Sequence, residues 1–379
     1  MVVLPESWKF YTFDQLFRVV PIQQYSILSS QIRPFGRTPV VDQSKKYIAG
    51  YSNSPNIFKN HNCIVFGDHT RISKYIDFDF IVGADGVQVL IPRSFDTKFL
   101  AYYVSKIEIP DTGYNRHLKY LKDYTYVIPF SVKEQKLIAA TLSSFDEHIK
   151  NLTKLIEKKK AIRDGALEDL VTGKTRLDGF EDGWEICRIE TLTKQIITGG
   201  TPSTSEDKYW GGAIPWLSST EIHQKRIMNP TSYITESGLK NSSAKMAPPC
   251  SVIVALAGQG KTRGTVAVLE REMALNQSLA AMVANDNTDF MFLYYALENG
   301  YEDLRELSSG DGGRGGLNKK ILRDFEVKVP PCKDEQQAIA SILTAMDEEI
   351  NSLEQEKNKI AQLKEGAMDD LLTGRVRLV

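Results

Sequence analysis

Residues 131–177 read SVKEQKLIAATLSSFDEHIKNLTKLIEKKKAIRDGALEDLVTGKTRL, and this stretch decides the fold because it occurs twice. The second copy, residues 332–378, reads CKDEQQAIASILTAMDEEINSLEQEKNKIAQLKEGAMDDLLTGRVRL and lies 201 positions later. Between Leu121 and Asp178, 21 of the 58 aligned pairs are identical, without a gap. Chance produces only a few identities over such a length, so the chain contains an internal repeat.

Each copy is predicted to form one long helix. No proline occurs between Ser131 and Gly173 or between Cys332 and Gly374, and a Thr-Gly pair ends both copies, as is usual at helix C-termini. Apolar residues recur in steps of four and three, which is the 3.5-residue period of a coiled-coil seam. The predicted seam consists of Ile138, Leu142, Phe145, Ile149, Leu152, Ile156, Ile339, Leu343, Met346, Ile350, Leu353 and Ile360.

A helix of about 38 residues is a rod of roughly 55–60 Å. The two helices could each pack in a separate domain, but their shared register and length favour packing on each other. The seam breaks in a swapped way, since Ile156 aligns with Lys357 and Lys159 aligns with Ile360. We expect these two lysines to lie toward the ends or the edge of the paired helices.

The composition is that of an ordinary globular protein. Of the 379 residues, 42% are hydrophobic and 25% are charged, and the chain is long enough for two or three domains. No apolar run approaches the ~20 residues of a membrane span, and the N-terminus lacks a signal-peptide pattern. Four separated cysteines without a C-x-x-C pair fit a reducing cytoplasm. The net charge of −1 means that any basic nucleic-acid surface is local or supplied partly by partners.

The repeat predicts the order block, helix, block, helix. We assign residues 1–130 to the first block, 131–178 to the first helix and a joint, 179–331 to the second block, and 332–379 to the second helix and a tail. Trp8 and Trp184 open the two blocks. Because Arg377 near the end matches Arg176 before the second block, the order is also cyclic. We therefore expect the two chain ends to lie close together.

Both blocks are predicted to be α+β. Residues 63–66, 86–91, 251–255 and 264–269 have the pattern of short strands beside glycine turns. Residues 99–106 and 290–307 have the pattern of helices. Such domains carry their loops on a common surface, where binding residues are usually found.

Residues 251–262 imitate a phosphate-binding P-loop, because Gly260-Lys-Thr262 follows an apolar strand. The motif also requires a glycine where Ala255 stands and a helix directly after the threonine. Residues 263–266 instead have the pattern of a turn and a strand. We therefore favour a polar loop that touches DNA phosphate over a nucleotide-hydrolysing site.

Gly310-Asp-Gly-Gly-Arg-Gly315 fits G-x-G-x-x-G by letter, but it follows a predicted helix rather than the strand of a dinucleotide-binding unit. A flexible glycine loop would let Arg314 approach a phosphate chain. A plain surface loop explains the residues equally well.

Asp68-His-Thr-Arg71, with His61 nearby, could suggest acid–base or metal chemistry. The chain has five histidines, and none has a partner at metal-ligand spacing. A loop that reads base edges fits better, since arginine addresses guanine and aspartate accepts from cytosine. Ordinary solvated loop residues are the competing interpretation.

Catalytic motifs are absent from the sequence. It has no F-x-G-x-G cofactor loop and no Asn/Asp-Pro-Pro-Tyr/Phe tetrapeptide of amino-methyltransferases. Serine-elbow and paired cysteine–histidine signatures are also missing. We therefore predict that the chain is not an enzyme and carries no metal or catalytic residue.

The alternation of two blocks and two matched helices resembles the specificity (S) subunit of type I restriction-modification systems. The resemblance covers the whole chain. In the second half it rests on Thr198-Gly-Gly-Thr-Pro-Ser203, Tyr209-Trp-Gly-Gly-Ala-Ile-Pro-Trp216, Ala274-Leu-Asn-Gln-Ser278 and Gly316-Leu-Asn-Lys-Lys320. In the first half, Phe66-Gly-Asp-His-Thr-Arg71 and Gly83-Ala-Asp-Gly86 resemble a variant of the same target-recognition domain.

The resemblance implies an α+β fold in which two sheet-containing target-recognition domains are separated by an antiparallel coiled coil with a pseudo-two-fold axis. It implies a DNA reader in which each domain reads one half of a bipartite target and the helices set the spacing. Two modification subunits would dock on the chain and use S-adenosylmethionine, and a restriction subunit would use ATP and Mg. The unlike blocks imply a non-palindromic target.

The candidate DNA-contacting residues are polar side chains on the predicted loops of the two blocks. They are Arg37, Asp68, His69, Thr70, Arg71, Arg116, Thr201, Ser203, Lys208, Ser218, Ser219, Gln259, Lys261, Arg263, Asn276, Gln277, Arg314, Asn318 and Lys319. Two other functions stay open at this point. A coiled-coil assembly scaffold without DNA readout would use the helices alone, and a P-loop enzyme would depend on Lys261.

Overall fold

The computed structural model describes residues 7–59, 62–83, 85–258, 260–308 and 316–378. The chain forms two compact units. The first unit is Met1–Lys154 with Glu354–Val379, and the second is Leu155–Leu353. Each unit therefore contains one block together with a part of both long helices.

The first block begins with a strand that returns to pair with its last strand. Its elements are β1 (Trp8–Tyr11), α1 (Phe13–Leu16), β2 (Phe17–Val20), β3 (Thr38–Val41), β4 (Gly50–Ser52), β5 (Cys63–Gly67), β6 (Ser73–Ile76), β7 (Ile81–Val82), β8 (Val87–Pro92), α2 (Thr97–Lys106), α3 (Leu118–Asp123) and β9 (Tyr126–Pro129), with short 3-10 turns at Gln23–Tyr25 and Ser29–Gln31. The first long helix, α4 (Val132–Val171), follows.

Two sheets and a two-stranded ribbon build the first block. The four-stranded sheet has the order β2-β8-β5-β6, the three-stranded sheet has the order β4-β3-β7, and β1 pairs with β9. All five residues of β5 are buried, because this strand is paired on both sides and covered on both faces. Its continuous apolar pattern is what the sequence showed at residues 63–66.

The second block is also built of short strands and helices, and its last strand again pairs with its first. Its elements are β10 (Glu185–Arg188), α5 (Ile189–Leu192), β11 (Thr193–Thr198), β12 (Trp210–Leu217), β13 (Arg226–Ile227), β14 (Ser232–Ile234), α6 (Glu236–Lys240), β15 (Lys245–Ala247), β16 (Val252–Ala255), β17 (Val266–Leu269), β18 (Met273–Leu275), β19 (Leu279–Ala284), α7 (Phe290–Asn299), α8 (Tyr301–Leu307), α9 (Lys319–Asp324) and β20 (Glu326–Val329), with 3-10 turns at Asp207–Tyr209 and Ser219–Gln224. The second long helix, α10 (Lys333–Leu371), follows.

Sheets of five and four strands form the second block, with the orders β11-β19-β16-β17-β13 and β14-β12-β18-β15. The ribbon β10-β20 corresponds to β1-β9 of the first block. Residues 290–307, predicted as one helical stretch, form two helices because the chain turns at Gly300. That glycine ends α7 and precedes α8, and a Cβ there would lie 2.8 Å from the Phe325 ring.

The long helices run antiparallel in each unit. In the first unit, Asp146 lies 2.7 Å from Lys364 and His148 lies 3.2 Å from Glu356. In the second unit, Lys159 lies 2.7 Å from Glu349, and Arg163 pairs with Asp347. Residue numbers therefore rise along α4 while they fall along α10. The helices have 40 and 39 residues, about 60 Å each.

The seam residues are removed from solvent along both helices. Ile138, Leu142, Leu152, Ile156, Ile339, Leu343 and Ile350 are buried, and Phe145, Ile149, Met346, Leu353 and Ile360 are half-buried. Ile138 and Leu142 pack into the core of the first block, and Ile339 and Leu343 pack into that of the second. The seam therefore joins the helices to the blocks as well as to each other.

The two lysines that interrupt the seam, Lys159 and Lys357, lie near the middle of their helices. We expected them toward the ends or the edge of the paired helices, and of these two places the edge is the one found for Lys159. Lys159 lies at the edge, where its ammonium reaches Glu349 while its stem stays half-buried. The long apolar stem lets a lysine stand beside a seam while its charge remains in water.

Candidate nucleic-acid interface

The polar loops of the first block meet at one surface, formed by residues 42–44, 67–71 and 109–118 and called here the first loop surface. The turn after β5 begins it. Asp68 is buried there, and its carboxylate accepts from the backbone N–H of Leu118 at 2.6 Å and from Gln88 at 3.3 Å. The backbone oxygen of Asp68 accepts from the N–H of buried His117 at 2.8 Å. Asp68 thus holds the loops together, and its carboxylate is committed within the fold.

The neighbouring side chains are more open to solvent. The ring of His69 stacks on that of Tyr114 with centroids 4.2 Å apart, and Tyr114 is 79% exposed. Thr70 donates to the carbonyl of Gln43 at 2.6 Å. This places an exposed aromatic face on the first loop surface, a feature able to stack on a nucleobase.

The Arg71 side chain is held by hydrogen bonds within the fold. Its guanidinium donates to Asp111 at 2.8 Å and to the carbonyl of Ile109 at 3.3 Å. A hydrogen bond from the backbone of Gly113, together with Arg71, lowers the pKa of the Asp111 carboxyl. Arg116 lies on the same surface and is exposed. Arg37, also exposed, precedes β3 on the three-stranded sheet.

In the second block, residues 198–203, 216–220 and 274–278 meet and form the second loop surface. Gly199 permits this, because a Cβ there would lie 1.8 Å from the carbonyl oxygen of Leu275. The backbone N–H of Gly200 donates to that same carbonyl at 2.9 Å. Thr201 then donates to Gln277 at 2.5 Å. Gly199 is therefore explained by close contact between two loops, whereas Gly200 is explained by Ser243, whose hydroxyl oxygen would lie 1.9 Å from a Cβ there.

The remaining candidates of the second loop surface differ in their freedom. Asn276 is buried, and its side chain accepts from the N–H of Ser278. Ser218 bonds Thr220 at 2.6 Å, and Ser219 beside it is half-buried. Gln277 is exposed, so it presents its amide to solvent beside Thr201.

Ser203 and Lys208 lie on the segment that leads into β12. The Ser203 hydroxyl bonds Ser205 at 2.8 Å, and its carbonyl accepts from the Trp210 indole at 3.1 Å. Lys208 forms an ion pair with Glu206 at 3.0 Å, so the two side chains together add no net positive charge to this segment. The pairing raises the pKa of the Lys208 ammonium.

The loop of residues 256–265 is held by α8. The Tyr301 hydroxyl donates to the carbonyl of Lys261 at 2.9 Å, and Arg305 donates to the carbonyl of Gly260 at 2.8 Å. Arg263 lies half-buried and donates to Ser308 at 3.4 Å, while the Lys261 side chain is exposed. A turn and β17 follow this loop, so the helix that a P-loop needs after its lysine is missing.

Asn318 caps α9, because its side chain accepts from the N–H groups of Lys320 and Ile321 at 2.9 and 3.0 Å. It is therefore committed to the fold, whereas Lys319 beside it is exposed. Gln259 and Arg314 lie outside the described residues, as do the Gly310–Gly315 motif and His61.

Two contributors to the first loop surface were missed from sequence. Gln43 joins two loops, because its amide donates to the carbonyl of Asp85 at 3.0 Å and accepts from the His69 N–H at 3.2 Å. Tyr114 supplies the exposed ring. Only the Asp-Thr-Gly-Tyr turn before Asn115 hinted at a structured loop, and nothing local linked it to residue 69.

Within the described residues, no group of three or more His, Cys, Asp or Glu side chains could hold a metal ion. The same part of the chain contains no helix that is long and apolar enough to cross a membrane. The two loop surfaces thus offer hydrogen-bonding groups, exposed cations and a stacking ring.

Known proteins resemble this chain along most of its length. The specificity subunit of the type I restriction enzyme EcoR124I/EcoR124II of Escherichia coli is 23% identical over 332 residues, covering 83% of this chain and 80% of the relative. The putative specificity subunit S.MgeORF438P of Mycoplasma genitalium is 22% identical over 387 residues, covering 96% and 94%. The crystal structure of a type I S subunit from M. genitalium superposes with a TM-score of 0.68 at 18% identity, covering 96% of each chain.

The family model described as "Type I restriction modification DNA specificity domain" matches twice, at residues 5–160 and 181–364. Each match contains nearly all of one block and the larger part of the long helix that follows it. The chain therefore belongs to the type I restriction-modification DNA specificity family.

Proposed function

We propose that this chain reads a bipartite, non-palindromic DNA target, with one half-site for each block, within a type I restriction-modification complex. The observation that carries the proposal is the duplication itself. Two units each present a surface of polar loops, and the two surfaces differ in sequence and construction. The chain is a specificity component rather than an enzyme, in keeping with its family.

Base reading would come from the side chains that the fold leaves accessible. Tyr114 and Arg116 are exposed on the first loop surface, where half-buried His69 bonds the carbonyl of Asn115, and Gln277 is exposed on the second. Each good bidentate contact to a base is worth about 1–3 kcal/mol of discrimination. Phosphate contacts by exposed lysines such as Lys261 and Lys319 would supply affinity that falls with salt.

The long helices would set the distance between half-sites. At about 60 Å, each spans the order of one to two turns of B-DNA. A target with an uncontacted gap follows from two readers on one duplex.

The same helices would dock two modification subunits. Ile162 and Leu363 occupy equivalent positions and are 49% and 51% exposed. One turn onward, Gly165 and Gly366 are also equivalent, and a Cβ at either would meet nothing within 4 Å. A glycine inside a helix costs about 1 kcal/mol relative to alanine. Because nothing in the described part of the chain lies close enough to require a glycine at either position, close approach of a partner at two equivalent sites would explain both.

The partners would supply the chemistry. Methylation requires a base taken out of the duplex, and the pocket for it would belong to the modification subunit, which would bind S-adenosylmethionine. ATP and Mg would belong to a restriction subunit. The complex would work in the cytoplasm, where its DNA is found.

Base-resolution methylation mapping tests the proposal. DNA is exposed to the chain assembled with its modification subunit, and modified adenines are located. We expect one motif of two unlike half-sites separated by a fixed gap. A palindromic motif, or no motif, contradicts the proposal.

Exchange of one block tests whether each block reads its own half-site. Replacing residues 1–130 by the equivalent block of a relative is expected to change one half-site and leave the other half-site and the gap unaltered. Footprinting of the assembled complex distinguishes this reader from an assembly scaffold, which would leave the target unprotected.

A further inference from the structure

A cluster of polar side chains ties the first block to both long helices. The hydroxyl of Tyr102, on α2, lies 2.5 Å from Asp146 and 3.3 Å from Ser143, both on α4. The ammonium of Lys364, on α10, donates to Asp146 at 2.7 Å and lies 5.5 Å from the centroid of the Tyr102 ring. One carboxylate is thus shared by the block and the other helix.

The second unit contains the same arrangement. The Tyr295 hydroxyl, on α7, lies 3.0 Å from Asp347 and 3.2 Å from Thr344, both on α10. Arg163, on α4, donates to Asp347 at 3.1 Å, and its guanidinium carbon lies 5.6 Å from the Tyr295 ring centroid. The side chain of Arg163 is 6% exposed and also pairs with Glu298 of α7.

The two clusters are related by the internal repeat. Asp146 and Asp347 are 201 positions apart, as are Ser143 and Thr344, and Arg163 and Lys364. The tyrosines come from outside the gapless repeat, 193 positions apart, yet they reach equivalent carboxylates. Two blocks of different sequence have therefore kept the same connection to the helices.

A second hydrogen bond attaches each block to the helix that follows it. The buried side chain of Gln135 accepts from the backbone N–H of Asp96, the residue that caps α2, at 2.8 Å. Gln336 does the same for Asp289, the cap of α7, at 2.8 Å. These two polar attachments, at positions 135 and 146 of α4, add to the apolar contacts between α2 and the same helix and oppose rotation of α2 on it.

We propose that the Tyr102–Asp146–Lys364 and Tyr295–Asp347–Arg163 clusters are orientation locks that hold each recognition block at one angle on the helices and so select the gap between half-sites. This inference rests on the proposed function. A gap longer or shorter by one base pair displaces a half-site by about 3.4 Å and turns it by about 35°. A block can follow only by turning on the helices, which separates the tyrosine hydroxyl from its carboxylate.

The locks make selectivity for the gap depend on a hydrogen bond to a charged group. The wild-type protein must break that bond to modify a target with the wrong gap, whereas a phenylalanine variant has no bond to break. We therefore expect each Tyr→Phe change to lower the preference for the native gap about tenfold. The free energy of one hydrogen bond to a charged group corresponds to a ratio of about that size. The bases read at each half-site should not change.

The test uses the full chain assembled with its modification subunit. Methylation rates are measured on duplexes with the native gap and with gaps one base pair shorter and longer, for wild type, Tyr102→Phe, Tyr295→Phe and the double variant. Two exchanges, Arg163→Lys and Lys364→Arg, give each cluster the cation of the other and should retain selectivity. Tyr47→Phe is a matched control, since the Tyr47 hydroxyl donates to the carbonyl of Tyr75 within the first block.

Unchanged gap selectivity in folded Tyr102→Phe and Tyr295→Phe proteins overturns the proposal. The proposal is also overturned if Arg163→Lys and Lys364→Arg lower gap selectivity as much as the Tyr→Phe changes do. That result would show that side-chain packing alone determines gap selectivity. If wild type modifies no bipartite motif, the proposed function fails first and the locks fall with it. Failure of the proposed function can be distinguished from failure of the locks, because the first is seen with the wild-type protein alone.

Discussion

Two fully buried glutamates, Glu134 and Glu335, show how single residues maintain the duplicated design. Glu335 accepts from the Trp184 indole at 3.2 Å and from the Arg176 guanidinium at 2.8 and 3.0 Å. Glu134 does the same with Trp8, at 3.4 Å, and Arg377, at 2.9 and 2.8 Å. In each case the start of a block, the first turn of a long helix and the end of the other helical repeat meet at one carboxylate.

Replacing Glu335 by Gln should destabilise the protein. The amide cannot accept both guanidinium bonds, and one of its N–H groups would face a donor. Charge-assisted bonds of this kind contribute about 1.5–3 kcal/mol each, and Arg176 is partly exposed, so we expect a loss of about 2 kcal/mol. Denaturant unfolding measures it, with exposed Glu348→Gln as the control. Equal stability of the two variants contradicts this role.

Cys63 provides a residue-scale prediction about reactivity. Burial raises the pKa of its thiol to about 12, so at pH 8 the thiol is protonated in the folded protein. Cys250 is exposed. Iodoacetamide at pH 8 should therefore label Cys250 and leave Cys63 unmodified, as read by mass spectrometry. Labelling of Cys63 in folded protein at the rate of Cys250 would be inconsistent with its burial.

At the scale of elements, α4 and α10 each have a buried face and an exposed face with different roles. Their buried faces join each helix to the other and to a block, and their exposed faces repeat only in part. The equivalent residues Ile162 and Leu363, with Gly165 and Gly366, are among the exposed features that both copies share. Buried and exposed positions should therefore respond differently to substitution.

Gly165→Ala and Gly366→Ala should each stabilise the isolated chain. Both glycines lie inside a helix with open space at Cβ, so the new methyl group meets no atom and about 0.5–1 kcal/mol is gained. Thermal unfolding measures this gain. If a modification subunit packs there, the same methyl group weakens assembly, as titration calorimetry would show. Unchanged affinity in both variants would remove this site from the docking surface.

Leu142→Asp and Leu343→Asp should be severely disruptive. Both side chains are fully buried in a block core, and an unpaired carboxylate there costs several kcal/mol. We expect loss of assembly or a changed gap in the methylated motif. Leu155→Asp, at a position 39% exposed, is the control. Normal assembly with an unaltered gap in both core variants contradicts the role of the seam.

At the scale of the whole molecule, the chain order is cyclic. Glu134 bonds Trp8 and Arg377 from the two ends of the sequence, where Glu335 bonds Trp184 and Arg176 from one continuous segment. The contact of Trp8 and Arg377 with one glutamate in the first unit thus corresponds to an internal connection in the second.

A circular permutant that is opened near Asp178 and joined through a copy of residues 177–183 should fold. The new break falls in an exposed turn, and the new joint repeats a connection that the chain already uses. Circular dichroism and denaturant unfolding compare it with the parent. A permutant opened between Leu152 and Thr153, inside α4, should fail to fold. The cyclic design is contradicted if the Asp178 permutant behaves like the α4 permutant.

The local sequence determined the periodic parts of this protein. A 3.5-residue apolar period and Thr-Gly stops are properties of neighbouring residues, and the gapless repeat shows both features twice, so they predicted both helices to within a few residues. Buried strands such as β5 and β16 were predicted for the same reason, since their apolar runs are continuous. The interruption at Gly300 was missed, although glycine is unfavourable inside a helix. The close approach of the Phe325 ring, which leaves no room for a Cβ at this position, is a contact between residues distant in sequence.

Only the tertiary structure decided which polar residues are free to bind. Asp68, Asn276 and Asn318 have the composition of DNA-reading residues, but long-range or capping contacts use their side chains inside the fold. Tyr114 and Gln43 become candidates only because residues 42–44, 67–71 and 109–118 meet in space. A helix places residues of one local stretch on the same face at every turn, so its apolar pattern is visible in the sequence. A loop surface is assembled by strands that are far apart in sequence, and the sequence contains no local signal of that convergence.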